Sequence, residues 1–320
     1  MLCGYSYEKK ENIMSEQNEQ NELNEKKGFI GKIYNDNIKW HDIGIITVVI
    51  AYIILIASSI AGAIICLPLN GPVQSDETGF WYIFYAYFSN IGAWVVIPLY
   101  CFIVKKNRYI NSAFGRKRAG NTVKMLLIGF LAGFATNTAC IIGAFLHGDI
   151  HLYFDSFAPI KLLILFIAVF VQSSAEEILC RGFMYERFRK AYRCPWVAII
   201  LNAVIFSCLH LGNPGVTPLA LANIVVAGLF FSLMVYYTDS IWCAFACHTA
   251  WNFNQNIIFG LPNSGMVSPY SLMRLDASTA SDSFAYNVGF GVEGTWLATL
   301  ILAACCIVMI VVFEKKKKNA

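Results

Sequence analysis

Eight long apolar runs constrain the fold of this chain more than any other feature of its sequence. Hydrophobic residues make up 57% of the 320 residues, and most of them fall in runs long enough to cross the apolar core of a membrane. Inside lipid the backbone must satisfy its own hydrogen bonds, so a run of this kind forms a helix. We therefore predict an all-α membrane protein with about eight transmembrane helices. The runs cover residues 43–67, 80–104, 124–146, 159–180, 195–211, 218–238, 241–260 and 295–313.

The lysines and arginines predict which connections face the cytoplasm, because cytoplasmic connections of membrane proteins carry an excess of these residues. Connections 105–123 and 181–194 and the C-terminal end are basic. This pattern predicts that both termini are cytoplasmic. The net charge of +4 is too small to indicate a nucleic-acid partner, and none is expected. The alternate connections, in which Arg274 is the single lysine or arginine, are 68–79, 147–158, 212–217 and 261–294.

The same pattern divides the chain into three segments. Residues 1–42 are predicted to form a polar, largely disordered cytoplasmic tail, because their first part is too rich in Glu, Gln and Asn to bury a core. Within that tail, residues 27–41 alternate apolar and basic side chains, which suits either a segment on the membrane surface or a simple linker. Residues 43–313 form the polytopic membrane domain, and residues 314–320 form a basic cytoplasmic tail.

Charged residues at the end of the fourth apolar run indicate a functional site. A charge near the bilayer centre costs about 3 kcal/mol on insertion scales, yet Glu176, Glu177 and Arg181 all occur there. Glu177 and Arg181 are four residues apart and can pair on one helix face. Glu176 lies about 100° away around the helix and lacks that partner. The alternative interpretation is that all three residues mark the cytoplasmic end of the helix.

Two histidines and an asparagine add further polar groups to the apolar runs. His248 and Asn252 are four residues apart and share a helix face. If the fourth and fifth helices form a hairpin that reverses near Arg193, Glu176 and His210 lie at one depth, since each is 17 residues from the turn. Taken singly, these residues would be explained by an interfacial position or by a structural hydrogen bond between helices. Taken together, they predict a buried, cytoplasm-facing polar cavity within the helix bundle.

A cluster of this composition can carry out hydrolysis in two ways. A desolvated Glu176 carboxylate has a raised proton affinity, so it can act as a general base toward water while a neighbouring imidazole shares the proton. The remaining histidine and the Asn252 amide are donors suited to an oxyanion. Alternatively, Glu176, His210 and His248 could be three ligands of a catalytic zinc ion with an open fourth position. The sequence does not separate these two mechanisms, and it contains no nucleophile-elbow, zincin or Walker motif.

These groupings resemble the three motifs of the CAAX protease and bacteriocin-processing family, also called the Abi family. The resemblance covers about residues 160–255. One position departs from the family pattern, since Asp239 stands where members often have a glycine, and this leaves the local turn in question. The motifs in chain order are Glu176-Glu177-x-x-x-Arg181, Phe206-x-x-x-His210 and His248-x-x-x-Asn252.

The resemblance implies an intramembrane endopeptidase related to type II CAAX prenyl endopeptidases, with its protease core at about 159–260. It implies that Glu176 activates a water molecule with help from His210. It also implies that His248 and Asn252 form the oxyanion site.

In the same way, the resemblance implies supporting roles for Glu177 and Arg181. Although the family is often named as metalloproteases, we expect no required cofactor, with the zinc site as the alternative. The expected substrate is a membrane-associated or secreted peptide or protein, and the expected location is the bacterial cytoplasmic membrane.

Two other classes of function also use acids and histidines inside a membrane. One is a transporter or proton-coupled channel, in which such residues relay protons. A transporter predicts inverted repeats or broken helices in matching halves, and the sequence shows neither. The other class is a non-enzymatic membrane scaffold or immunity protein that acts by binding a partner. Some members of the family it resembles act in bacteriocin self-immunity, so this second alternative stays open.

Overall fold

The computed structural model describes residues 33–35, 38 and 43–319, and this part of the chain is mostly helical. Each apolar run contains at least one helix, as expected of a chain that must satisfy its backbone hydrogen bonds in lipid. Two short strands are the exception, β1 (Leu152–Phe154) and β2 (Met273–Leu275). The helices are α1 (Gly44–Ile65), α2 (Asn70–Ser75), α3 (Phe80–Phe88), α4 (Ile91–Ile103), α5 (Arg108–Phe114), α6 (Val123–His147), α7 (Pro159–Glu177), α8 (Tyr185–Ala191), α9 (Pro195–Cys208), α10 (Pro218–Thr238), α11 (Ile241–Asn252) and α12 (Trp296–Asn319).

Among the described residues, six helical segments are long and apolar enough to cross a membrane. They are α1, α3 with α4, α6, α7 extended through α8, α10 and α12. Two of the eight predicted runs fall short of this criterion. Helix α9 has 14 residues and spans about 21 Å, less than the roughly 30 Å of a bilayer core. Helix α11 has 12 residues and carries the polar side chains of the third motif. The chain is therefore a helical multi-pass membrane protein, and the count of eight crossings stays a prediction.

Two helices widen into π-helical segments, one that begins within the first motif and one that directly follows the third. Helix α7 continues through a π-helical segment at Ile178–Met184 into α8 without a break. Helix α11 continues through a second one at Phe253–Ile258. Widened turns of this kind are rare and occur frequently at functional sites. Both π-helical segments therefore draw attention to the ends of α7 and α11.

Proline and serine residues set the start of the helices that later build the site. Pro159, Pro195 and Pro218 occupy the first turn of α7, α9 and α10, where a missing backbone N–H costs nothing. Ser240 caps α11, and its hydroxyl accepts a hydrogen bond from the backbone N–H of Cys243 at 3.3 Å. Local sequence therefore determines where these four helices begin.

Helix α6 packs against α11 with direct contact between their backbones. A Cβ atom at Gly129 would overlap the carbonyl oxygen of Cys243, and a Cβ atom at Gly133 would overlap that of Cys247. Small residues four apart allow such close approach between helices in lipid. The pair Gly129 and Gly133 therefore fixes the position of α11, which carries His248 and Asn252.

Three connections that are poor in lysine and arginine meet at one end of the bundle. Strands β1 and β2 belong to two of them and pair antiparallel, with Leu152 opposite Leu275. The third lies between α9 and α10, where the Asn213 side chain donates from Nδ2 to the Ser264 carbonyl oxygen at 3.1 Å. Connections predicted to lie on the same side of the membrane are thus in contact.

The basic connections meet in the same way at the other end. Arg118, which follows α5, donates from Nη1 to Glu186 on α8 at 2.6 Å and from Nε to Asp239 at 2.8 Å. Near the C-terminus, the Tyr237 hydroxyl donates to Glu314 on α12 at 3.0 Å. The connections that the lysine and arginine pattern places in the cytoplasm therefore form one surface.

The turn at Asp239 explains the one departure from the family pattern. Asp239 ends α10 in the left-handed region, with φ of 51° and ψ of 32°. Glycine adopts this conformation without strain, and aspartate is one of the few other residues that tolerates it. The ion pair with Arg118 gives the aspartate a further contact at this turn.

The predicted N-terminal tail lies outside the described residues except for positions 33–35 and 38. There, the Asn35 backbone N–H donates to the Ala191 carbonyl oxygen at 2.9 Å, and the Tyr34 ring stacks on Tyr192. This short piece therefore contacts the turn between α8 and α9. The prediction for residues 27–41, a surface segment or a linker, is otherwise untested.

We predict that Val267→Cys is labelled by a membrane-impermeant maleimide on intact bacterial cells, whereas Ala119→Cys is labelled only after permeabilisation. Val267 is exposed at the end that is poor in lysine and arginine, and Ala119 is exposed at the basic end. Labelling would be read by mass spectrometry of the individual peptides, because native cysteines are also present. Labelling of Ala119→Cys alone on intact cells would reverse the predicted orientation.

Candidate active site

A buried ion pair forms the base of the site. Arg181 donates from Nη1 to Glu177 Oε1 at 2.8 Å, and neither side chain has any exposed surface. This is the pair expected from their spacing of four residues. Arg181 also donates from Nη2 to the Gly228 carbonyl oxygen at 3.2 Å. Its guanidinium lies over the Phe206 ring at 4.2 Å and the Phe231 ring at 5.2 Å, so the cation is enclosed by a carboxylate, a carbonyl and two aromatic faces.

His248 lies between the two adjacent glutamates. Its Nδ1 atom is 3.0 Å from Glu177 Oε1, the same oxygen that accepts from Arg181. Its Nε2 atom is 3.9 Å from Glu176 Oε2. The Phe231 ring stacks on the imidazole with centroids 5.0 Å apart. Because the Glu177 carboxylate accepts at Nδ1, it orients the ring with Nε2 toward Glu176.

Glu176 keeps one carboxylate oxygen without a partner. Gln172 donates from Nε2 to Glu176 Oε1 at 2.5 Å, while Oε2 is buried and makes no hydrogen bond within the described part of the chain. The side chain as a whole is 30% exposed, in contrast to the fully buried Glu177. The two glutamates thus have different environments, as the helix geometry predicted: Glu177 neutralises Arg181 and Glu176 is available to a substrate or a water molecule.

Asn252 belongs to a network that joins α11 to α7. Its Nδ2 atom donates to Gln172 Oε1 and to Ser173 Oγ, each at 3.1 Å. Gln172 therefore bridges Asn252 and Glu176 through its two ends. Neither Gln172 nor Ser173 was predicted from the sequence. The signal that could have found Gln172 is its position four residues before Glu176, which places both side chains on one helix face.

His210 lies just after α9, where its contacts are with Phe206. Its Nδ1 atom donates to the Phe206 carbonyl oxygen at 2.8 Å, and its ring meets the Phe206 ring edge-on at a centroid distance of 4.8 Å. Within the described residues, no hydrogen bond or ion pair joins His210 to Glu176. The structure therefore places His248, rather than His210, next to Glu176. Phe206 also meets the His248 ring at 6.1 Å and thus contacts both histidines.

The four candidate catalytic residues line one cavity of about 350 Å³. A single water molecule occupies about 30 Å³ of liquid, so the cavity is large enough for a side chain and for water. Ligand pockets of about 300 to 1,000 Å³ with a few convergent polar groups are typical of binding sites. The polar residues that line it include Gln172, Glu176, His210, His248 and Asn252.

The loop residues that line the cavity differ from those expected of a cytoplasm-facing cavity. The cavity was predicted to face the cytoplasm, but its loop residues come from the connections that are poor in lysine and arginine. They are Asn213, Pro214, Asn263, Ser264 and Met266. The prediction treated α7 as ending near Arg181, whereas the helical segment continues to Ala191. Glu176 therefore lies near the middle of this 33-residue segment.

The described residues do not form the alternative zinc site in this arrangement. No group of three or more His, Cys, Asp or Glu side chains among them is placed to hold a metal ion. The Nδ1 atoms of His248 and His210 are engaged by Glu177 and by the Phe206 carbonyl oxygen. A three-ligand site of Glu176, His210 and His248 would require His210 to approach the two other residues.

The fold and this cluster define a multi-pass helical membrane protein with a buried acid–histidine centre. Residues 156–254 match the family model of type II CAAX prenyl endopeptidases, Rce1-like. The matched segment contains all three motifs, so the resemblance to the CAAX protease family is confirmed over this part of the chain. At the level of the family, the match indicates a CAAX-type membrane endopeptidase. A search of curated proteins gave no significant match.

We predict that Arg181→Met lowers the free energy of unfolding by about 3 to 5 kcal/mol, because it leaves the Glu177 carboxylate buried without its cation. The double variant Glu177→Gln/Arg181→Met should recover part of this loss, since it leaves no net charge buried. Both would be measured by thermal unfolding of the purified protein in detergent.

The matched control for this prediction is the solvent-exposed pair of Glu314 and Lys317. We expect Glu314→Gln to leave the melting temperature unchanged, because exposed ion pairs contribute little. An Arg181→Met protein that melts at the wild-type temperature would contradict a structural role for the buried pair.

Proposed function

We propose that this protein is an intramembrane endopeptidase that hydrolyses a peptide bond with a water molecule activated by Glu176. The observation that carries the proposal is the unpartnered Oε2 atom of Glu176, which is buried beside the cavity at 3.9 Å from His248 Nε2. A carboxylate oxygen that no hydrogen bond occupies is free to accept a proton from a water molecule. The match to Rce1-like endopeptidases over residues 156–254 supports the same reaction.

In the first step, Glu176 Oε2 takes a proton from a water molecule as the water oxygen attacks the peptide carbonyl carbon. The hydrogen bond from Gln172 to Oε1 holds the carboxylate in place for this transfer. His210, which lines the same cavity, is the second group able to bind the attacking water. Its Nδ1–H is used by the Phe206 carbonyl, so Nε2 remains for this contact.

The carbonyl oxygen becomes an oxyanion, which we assign to His248 and Asn252. His248 donates at Nδ1 to Glu177, so a second donation from Nε2 requires the imidazolium form. Asn252 donates to Gln172 and Ser173, and one of these bonds would be exchanged for the substrate oxygen. Both donors are held by buried partners, and such preorganisation makes a donor effective toward developing charge.

In the last step the carbon–nitrogen bond breaks and Glu176 returns its proton to the leaving nitrogen. The products are a carboxylic acid and an amine, and the net reaction consumes one water molecule. Glu177 and Arg181 do not touch the substrate in this mechanism. They fix the ring of His248 and the end of α7 through the shared Oε1 atom of Glu177.

We also propose eight crossings with cytoplasmic termini, in the bacterial cytoplasmic membrane. The grouping of basic connections around Arg118 at one end of the bundle supports this orientation. The cavity is lined by loops of the other end, which favours a substrate that reaches the site from the membrane or from the non-cytoplasmic side. A membrane-associated or secreted peptide meets this requirement.

We predict that Glu176→Gln reduces the rate of peptide cleavage by a factor of about 10² to 10⁴, because an amide cannot accept the proton from water. The purified protein would be assayed with an internally quenched peptide mixture and with a farnesylated CAAX peptide. Glu77→Gln, an exposed carboxylate in a loop, is the matched control and should cleave at the wild-type rate. Wild-type cleavage by Glu176→Gln would contradict the assignment of the base.

The same assay tests the role of a metal ion. We predict that treatment with a strong chelator leaves the cleavage rate within about twofold of the untreated enzyme, since general-base activation of water by a carboxylate needs no Lewis acid. Inhibition by the chelator that added zinc reverses would instead establish the metal-dependent alternative. Glu176, His210 and His248 would then be assigned as the ligands.

A further inference from the structure

A third carboxylate, Glu293, lies beside the site but outside the segment matched by the family model. It occupies a short 3₁₀ turn, Val292–Gly294, just before α12. Glu293 Oε1 accepts a hydrogen bond from Trp251 Nε1 at 2.8 Å. Glu293 Oε2 accepts two, from the Ser264 backbone N–H at 2.6 Å and from the Ser264 hydroxyl at 2.9 Å. Both oxygens are therefore used as acceptors.

The partners of Glu293 are directly attached to the candidate active site. Trp251 precedes Asn252 on α11. Ser264 lines the main cavity, and its carbonyl oxygen accepts from Asn213, three residues after His210. Glu293 thus joins the helix that carries Asn252 to the loop that follows His210.

The loop that contains Asn263 and Ser264 adopts a constrained backbone conformation. Ser264 has a φ of 48°, in the left-handed region that non-glycine residues rarely adopt. The two hydrogen bonds from Ser264 to Glu293 offset the cost of that conformation. Next to it, Asn263 donates from Nδ2 to the Asn252 carbonyl oxygen at 3.4 Å. Residues 263 and 264 therefore depend on Glu293 for their position against α11.

A second, smaller cavity of about 50 Å³ lies between Glu293 and the motif residues. His210, His248, Asn252 and Ser264 line it together with Glu293. Burial raises the pKa of the Glu293 carboxyl above its ordinary value, and the hydrogen bonds from Ser264 and Trp251 oppose that rise. A buried carboxylate is costly without such donors, so three converging donors indicate a specific role for this side chain.

We propose that Glu293 is a positioning residue of the peptidase site, which holds Trp251 and Ser264 so that His210 and Asn252 face one cavity. This inference rests on the proposed function. Glu293 does not touch the reacting atoms in this role. It acts through α11 on one side of the cavity and through the loop of Ser264 and Asn213 on the other.

The requirement is for a carboxylate and not only for a side chain of this size. Glutamine has the same shape, but its amide nitrogen is a donor and would face either the Trp251 N–H or the Ser264 N–H. At least one donor would lose its partner. Glu293→Gln therefore removes a hydrogen bond without leaving a cavity.

The experiment compares Glu293→Gln with the wild type and with the Glu77→Gln control on the internally quenched peptide mixture. We expect kcat to fall by about 10- to 100-fold with KM changed less than about threefold, since displacement of catalytic groups by about 1 Å has an effect of this size. Trp251→Phe removes one of the same hydrogen bonds and should also lower kcat. The double variant Glu293→Gln/Trp251→Phe should lose no more than about twofold beyond Glu293→Gln, because the interaction is shared.

A second measurement does not depend on catalysis. Asn263→Cys would be introduced into each protein, and the alkylation rate of the new cysteine would be followed by mass spectrometry. Asn263 is 6% exposed, so release of the loop should accelerate its alkylation by about tenfold or more. The melting temperature of Glu293→Gln should stay within a few degrees of the wild type.

Three results would overturn the inference: wild-type cleavage by Glu293→Gln, unchanged alkylation at position 263, or a loss of activity that follows a general loss of folding. If the wild type cleaves none of the probes, the proposed function fails. The alkylation rates then decide alone whether Glu293 positions the loop.

Discussion

The structure depends on a buried positive charge and the single carboxylate that neutralises it. Arg181 has no exposed surface, so its guanidinium must find its partners inside the bundle. Glu177 supplies the negative charge, and its Oε1 atom also contacts His248 Nδ1. One oxygen atom thereby connects α7, the π-helical segment that follows it, and α11. Phe206 and Phe231 complete the enclosure and extend it to α9 and α10.

This arrangement explains why two adjacent glutamates can have different roles. Successive residues of a helix point about 100° apart, so only Glu177 can face Arg181. Glu176 instead faces the cavity, where Gln172 binds one of its oxygens and His248 approaches the other. Glu177 is held by an ion pair with Arg181, whereas Glu176 is held by the neutral amide of Gln172. The difference follows from position on the helix and not from residue type.

Sequence reasoning succeeded where the contacts lie within one helix. The pair of Glu177 and Arg181 could be predicted because residues four apart are neighbours on any helix. The contacts of His210 could not be predicted in the same way, because equal depth in two helices does not fix the distance between their side chains. The position of Glu293 beside the site could not be predicted from the sequence for a similar reason. It comes 41 residues after Asn252, and its position is set by a long loop rather than by helical spacing.

The π-helical segment at Ile178–Met184 sets which face α8 presents to the rest of the bundle, so a change of chain length here rotates that helix. A π-helical turn accommodates about one residue more than an α-helical turn, so everything beyond it is rotated by about 100° relative to an uninterrupted helix. Beyond this segment Arg187 is buried, where it donates to Thr47 and to Asn107. Deletion of one residue between 182 and 184 would turn Arg187 away from both partners while leaving the spacing of Glu176, Glu177 and Arg181 unchanged. Relatives that keep the motifs but differ in length here should therefore differ on the face that α8 presents to α1.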